Sequence, residues 1–156
     1  MYYFLKEDFD ALNLEIVKIA DKIKEIGKEM GKSCQEGAET FHDNFAHEDG
    51  ERQQRMWSER IRELIRIRNQ ARIIEPQKHN TVSIGQIVTM EDERTGEMRI
   101  IKIGSYMTFV KEDNAVSYIA PLSRMLIGGK AGEIKEAVIA GKKKSFRIIK
   151  IEWPSE

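Results

Sequence analysis

The stretch LKEDFDALNLEIVKIADKIKEIGKEM, residues 5–30, decides the fold. Its apolar residues Leu5, Phe9, Leu12, Ile16, Ile19, Ile23, Ile26 and Met30 follow one another at spacings of four, three, four, three, four, three and four, with Lys and Glu filling the positions between. An apolar seam that returns about every 3.5 residues marks a helix packed along one stripe against a partner helix. At about 1.5 Å per residue this helix runs roughly 35–40 Å. Gly27, Gly31 and Gly37 loosen the helix toward its end.

A second arm follows. Trp57, Ile61, Leu64, Arg68 and Ala71 repeat the same spacing, with Ile65 and Ile67 alongside. Traced backward, the stripe falls on Gln54, Gly50 and His47, so the seam is expected to weaken there. Two consecutive seamed arms joined by a bend read as an antiparallel coiled-coil hairpin. Two helices of an ordinary bundle are the alternative, but no third amphipathic helix is present to complete one. Pro76 ends the second arm, because proline cannot continue a helix and restricts Glu75 before it.

Past the polar run Gln77-Lys78-His79-Asn80, the apolar period changes from 3.5 to 2. Strands are expected over 82–90 and 98–103, with a hairpin turn at Thr95-Gly96 between them. A further strand is expected over 106–110, and a short helix over 121–127 with Pro121 in its first turn. Residues 137–139, the turn Ala140-Gly141-Lys142, and residues 145–153 close the chain as a second hairpin. The fold class is α+β. Residues 1–76 form the coiled-coil hairpin, 77–80 a linker, and 81–156 a small, mainly antiparallel β domain with one short helix.

The chain has 156 residues, a third of them charged, with 26 of each sign. A zero net charge gives no general argument for nucleic-acid or membrane binding. Cys34 is the only cysteine, so no intrachain disulfide forms and a reducing, cytoplasmic setting is expected. The apolar start Met1-Tyr2-Tyr3-Phe4-Leu5 meets Lys6, Glu7 and Asp8 too soon for a signal peptide, and no window reaches transmembrane length.

Between the arms, residues 33–51 hold Glu36, Glu39, Asp43, Glu48, Asp49 and Glu51 and not one Lys or Arg. An acidic stretch is most often a solvated surface, and Glu48, Asp49 and Glu51 are read as solubilising. At the bend of a hairpin, however, such carboxylates are held far from the rest of the chain. Asp43 and His47 are four apart and share a helical face, while His42 does not. No spacing here is diagnostic of zinc. The second arm carries Arg52, Arg55, Arg60, Arg62, Arg66, Arg68 and Arg72 against Glu59 and Glu63. Such a stem suits contact with an RNA backbone, because cations neutralise phosphates without reading sequence. Exposed arginines that serve solubility alone are the other reading, and Arg68 on the seam is read as a snorkelling residue. Gly128-Gly129-Lys130 lacks the spacing and context of a phosphate loop, and Cys34 has no partners for nucleophilic catalysis.

Residues 116–128, Val-Ser-Tyr-Ile-Ala-Pro-Leu-Ser-Arg-Met-Leu-Ile-Gly, with Gly132-Glu133 after them, resemble a signature of the Gre family of bacterial transcript-cleavage factors. Residues 84–89 are similar to that family's first strand, 146–153 to its last, and 71–76 to its junction between domains. The resemblance covers essentially the whole chain. It implies an N-terminal coiled coil and a C-terminal domain similar to FK506-binding proteins.

The resemblance also implies a function. Family members bind RNA polymerase with the globular domain at the rim of the secondary channel and pass the coiled coil toward the active centre. Acidic residues at the tip there help hold a second magnesium ion, so that the polymerase cleaves the 3′ end of a backtracked transcript. Such an ion needs hard oxygen ligands to stay bound and to generate the attacking hydroxide. Asp43-Asn44 matches the acid-Asn pair of the family's tip motif, Phe41 its Leu and His42 its Lys. The motif's first acid falls on Thr40 in an ungapped alignment, with Glu39 one position earlier. A one-residue shift of the loop brings Glu39 in as second carboxylate; without it Asp43 stands alone.

The expected site is therefore Asp43 and Glu39 as the acidic, metal-supporting pair, with Phe41, His42, Asn44 and Phe45 supporting the tip. Arg52, Arg55, Arg60 and Arg62 form the stem facing RNA, and Pro121, Leu122, Ser123 and Arg124 meet the polymerase. The partners implied are RNA polymerase and the 3′ end of nascent RNA, with no membrane, and the chain is expected to act as a monomer. No cofactor is stably bound, the magnesium being supplied at the polymerase's active centre. The chain is thus an accessory factor and not itself an enzyme. Two other readings stay open: a channel-binding inhibitor without cleavage stimulation, and a peptidyl-prolyl isomerase suggested by fold alone.

Overall fold

The computed structural model describes residues 1–35 and 41–154, and the side chains of all of these except 33–35, 41–44 and 46. They form two compact units, Met1–Phe9 with Ala71–Glu156, and Asp10–Gln70. The chain therefore does not divide once at Pro76, as its sequence pattern suggests. Its first nine residues and everything from Ala71 onward belong together.

The helical unit contains most of α1 (Lys6–Gln35) and all of α2 (Phe41–Asn69). Along α1 the expected seam is the buried face. Leu12, Ile16, Ile19 and Ile26 are buried, Ile23 and Met30 half-buried, while Leu14 and Val17 on the other side are exposed. On α2, Leu64 and Ile67 are buried, and Trp57, Ile61 and Arg68 half-buried. Three contacts set the direction of packing. Lys22 Nζ lies 4.4 Å from the centroid of the Trp57 ring. Gly27 faces Gln54, and Gly50 faces Met30. Partners rise along α1 as they descend along α2, so the helices are antiparallel. α2 stops at Asn69, short of Pro76, and Ala71 is not on the seam; it opens a strand.

In the other unit, β1 (Tyr2–Phe4) pairs in parallel with β2 (Ala71–Ile73), Tyr2 opposite Ala71 and Phe4 opposite Ile73. Three consecutive aromatic residues favour extended backbone, and Phe4 is fully buried. The main sheet has the order β5-β4-β3-β7-β6. Its strands are β3 (Ile87–Asp92), β4 (Met98–Gly104), β5 (Ala115–Ser117), β6 (Ile134–Ile139) and β7 (Lys142–Glu152). All pairs are antiparallel except β4 with β5. Alternate residues Val88, Met90, Ile101, Ile103, Phe146 and Ile148 face one core, which Met125 and Leu126 of α3 (Pro121–Leu126) cover. Pro121 starts that helix, where its missing N–H costs nothing.

Strand β3 begins at Ile87, five residues later than the pattern predicts, because a turn precedes it. Gly85 has φ +95°, and a Cβ there would lie 2.9 Å from Pro76 Cγ. Gln86 is buried and satisfies its amide locally. Its Nε2 donates to the carbonyls of Gln77 (3.4 Å) and His79 (3.3 Å), and its Oε1 accepts from Ser83 N–H at 2.8 Å. The expected linker over 77–80 is thus tied to the sheet. Residues 106–110 form no strand. Tyr106 instead donates its N–H to Tyr3 O at 2.9 Å and sets its ring 4.3 Å from that of Tyr2. The last hairpin is longer than predicted and turns at Ala140 and Gly141, both with positive φ (52° and 78°). Two left-handed residues make the tight hairpin turn whose twist matches that of the strands. Among the described residues no helix is long and apolar enough to cross a membrane.

Candidate functional site

α1 ends at Gln35 and α2 begins at Phe41, so five residues separate the two helices. Phe41, His42, Asp43 and Asn44 occupy the first turn of α2, their side chains lying outside the described residues. Glu36, Glu39 and Thr40 lie outside them altogether. Phe45 is described and is largely exposed, an apolar side chain presented to water in the second turn.

The rest of the acidic segment is partly neutralised. Asp49 accepts from Arg52 Nη2 at 2.9 Å and Nε at 3.2 Å, and from Gln53 Nε2 at 2.9 Å. The Arg52 hydrogen bond holds the Asp49 carboxyl below the usual carboxylate range, burial working weakly against it. His47 Nε2 sits 3.3 Å from Glu51 Oε1. Asp49 and Glu51 are therefore tied to their own helix. Among the described residues no group of three or more His, Cys, Asp or Glu converges.

The basic stem is ordered by helical geometry. At about 100° per residue, Arg52, Arg55, Arg62 and Arg66 fall within one stripe of roughly 80°. That stripe is opposite the seam of Trp57, Ile61 and Leu64. Arg60, expected with them, lies on a different flank nearer the seam. Arg52, Arg55, Arg60 and Arg62 are all exposed; Arg52 is engaged by Asp49, and Arg62 Nε donates to Ser58 O at 3.2 Å.

In the sheet unit the expected surface of Pro121, Leu122, Ser123 and Arg124 divides. Pro121 and Arg124 are exposed and Leu122 half-buried, but Ser123 is fully buried and its Oγ donates to Val116 O at 3.3 Å. Ser123 therefore holds α3 to β5 and presents nothing to a partner. Flanking α3, Tyr118 and Ile127 form walls of an open cleft of about 490 Å³ together with Tyr3, Ile74 and Ile84. Glu75 and His79 are polar groups at its rim. Tyr118 also accepts the Tyr3 N–H at 3.2 Å, which fixes one wall. A mostly apolar cleft with few polar groups suits an apolar side chain of another protein. Its residues lie at 3, 74–84, 118 and 127, too scattered for any sequence pattern to assemble.

The described residues thus define a protein with an antiparallel helical pair and a sheet unit bearing one short helix and an apolar cleft. Residues 77–153 match the family described as transcription elongation factor, GreA/GreB, C-terminal. The chain is 29% identical over 134 residues to transcription elongation factor GreA of Thermosipho melanesiensis, covering 85% of this chain and 80% of that one. It is 36% identical over 96 residues to GreA of Rhodopseudomonas palustris, 60% of this chain and 61% of that one. Among solved structures, the GreA factor homologue Gfh1 of Thermus thermophilus aligns over 96% of this chain and 97% of its own, with 20% identity and a TM-score of 0.44. Residues 77–153 are thus a domain of the GreA/GreB C-terminal type, and the chain beyond them is similar to GreA factors.

Proposed function

We propose that this chain is a transcription elongation factor that binds bacterial RNA polymerase and stimulates cleavage of the 3′ end of backtracked RNA. The observation that carries the reading is the reach of the similarity. A relative named transcription elongation factor GreA matches across 85% of the chain, more than the C-terminal domain alone could supply. The polymerase performs the cleavage, and this chain is an accessory to it.

The sheet unit docks at the rim of the secondary channel, with Pro121, Arg124 and the neighbouring apolar cleft facing the polymerase. The helical pair enters the channel. Its two helices of 30 and 29 residues extend about 43–45 Å at 1.5 Å per residue. Asp43 and Glu39 supply oxygen ligands at the tip, the donor type that magnesium takes. Held by them together with the polymerase's own carboxylates, such an ion would supply the activated water for cleavage. Phe41, His42, Asn44 and Phe45 shape the tip around the transcript end. The arginine stripe of α2 lies along the path of extruded RNA, where its charges neutralise phosphates.

The test is transcript shortening in stalled, backtracked complexes with magnesium, with and without the protein. Faster shortening supports the proposal; none, with polymerase binding intact, refutes it.

A further inference from the structure

A second cationic feature lies in the sheet unit and is independent of the tip and the stem. The β3–β4 turn and the β6–β7 hairpin enclose a cleft of about 270 Å³ lined by Arg94, Lys142, Lys143 and Lys144, with Thr95, Ser145 and Asp92. We propose that this cleft binds the phosphates of a nucleic-acid backbone.

Four cations face one carboxylate there, and that carboxylate is already committed. Asp92 Oδ1 accepts the backbone N–H of Arg94 at 2.8 Å and of Thr95 at 3.4 Å, which shapes the turn. Two neighbouring acids are also engaged. Glu93 accepts from Arg147 Nε at 2.8 Å, and Glu136 lies 3.6 Å from Lys143 Nζ. Among the described residues Arg94, Lys142 and Lys144 have no ion-pair partner.

The two sides of the cleft are held together. Glu93 N–H donates to Ser145 O at 3.0 Å, and the Arg147–Glu93 pair ties the same turn to β7. The positive-φ turn at Ala140 and Gly141 fixes the start of β7, so the three lysines leave the hairpin in extended backbone. Lys142 and Lys144 fall on one side of that strand about 6.6–6.8 Å apart, close to the spacing of successive phosphates along one nucleic-acid strand.

The lining also indicates the kind of ligand. It contains no apolar residue, so it offers no anchor of the sort that peptide recognition needs. Lysine and arginine with serine and threonine hydroxyls are the side chains that contact phosphate oxygens, and they position a backbone without reading its bases. Binding here is sequence-independent and weakens with salt.

The test uses the full chain and a fluorescein-labelled single-stranded RNA oligomer, with anisotropy read across a potassium chloride series. A variant carrying Arg94→Gln, Lys142→Gln and Lys144→Gln is compared with one carrying Arg55→Gln, Arg62→Gln and Arg66→Gln on the helical stem. At about 0.7 released counterions per phosphate contact, the cleft variant is expected to lower the magnitude of the log–log salt slope by about 2, with affinity down at least about tenfold. Lys142→Gln alone is expected to lower it by about 0.7, which guards against a folding defect in the triple variant.

An unchanged slope in folded cleft variants, or loss of all binding through the stem variant alone, overturns the proposal. So does tighter binding of polyglutamate than of RNA at equal salt, which would make this an acidic-peptide site. Displacement of the oligomer by inorganic phosphate at matched phosphate concentration would reduce the cleft to a single-anion pocket and equally overturn it.

Discussion

Gly50 faces Met30 so closely that a Cβ at position 50 would lie 2.7 Å from Met30 Cγ and 3.0 Å from its Sδ. The small residue on α2 and the long one on α1 are complementary, and the helices approach each other through them. Gly50→Leu should therefore lower stability by about 1–3 kcal/mol, the usual cost of overpacking. Thermal unfolding followed by circular dichroism measures it. The double variant Gly50→Leu, Met30→Ala should recover most of the loss. No recovery would mean the two residues are not coupled.

That contact also explains what the sequence made legible and what it hid. The strict spacing of Leu12, Ile16, Ile19 and Ile26 announces a packed helix because apolar residues at that period can only share one face. The weaker half of the second seam was expected to pack poorly, since Gly50 and Gln54 are small or polar. They are there because Met30 and Gly27 stand opposite, and such size matching is invisible until the register is known. The parallel β1–β2 pair was equally hidden. It joins residues 2–4 to residues 71–73, and a three-residue strand has no period to detect. The acidic tip and arginine stem could be read as charge runs. The apolar cleft by α3 could not, because it draws on four separate segments.

Ser105 is fully buried and links the N-terminal segment to the sheet. Its Oγ accepts Leu5 N–H at 2.8 Å and donates to Asp8 Oδ2 at 2.5 Å. Burial raises the Asp8 carboxyl above its ordinary value, with the Ser105 hydrogen bond and Lys102 opposing. A folded-state pKa above the unfolded one means the folded chain holds the proton more tightly. Asp8 therefore contributes stability that is present below its unfolded pKa and lost as pH rises through the folded value. Asp8→Asn should remove this component. Compared across the range just above the ordinary aspartate pKa, the native chain should lose stability with rising pH and the variant should not. Parallel curves would contradict the assignment.

Ala140 carries φ 52° in the β6–β7 turn, a conformation that costs an L-residue with a Cβ about 1–2 kcal/mol. Asparagine tolerates it better and is favoured in this turn type. Ala140→Asn should raise stability by about 0.5–1 kcal/mol, read as a higher denaturant midpoint with unchanged slope. A lower midpoint would show that the turn is not the strained element.

Arg55 and Arg62 lie on the stripe of α2 opposite the seam, whereas Arg60 does not. If the stripe contacts extruded RNA, Arg55→Ala with Arg62→Ala should reduce stimulated cleavage about tenfold and reduce its salt sensitivity, whereas Arg60→Ala should leave both near the native level. Cleavage rates across a salt series provide the measurement. Equal losses from both sets would remove the case for one RNA-facing stripe.

The central claim rests on Asp43, placed by the backbone in the first turn of α2. The measurement that tests it most directly is 3′-end cleavage of labelled RNA in a stalled, backtracked complex, comparing the native chain with Asp43→Ala at equal polymerase occupancy. Rapid shortening by the native chain and none above background by the variant is the predicted result. Equal shortening by both, or none by either while both bind polymerase, would contradict the account.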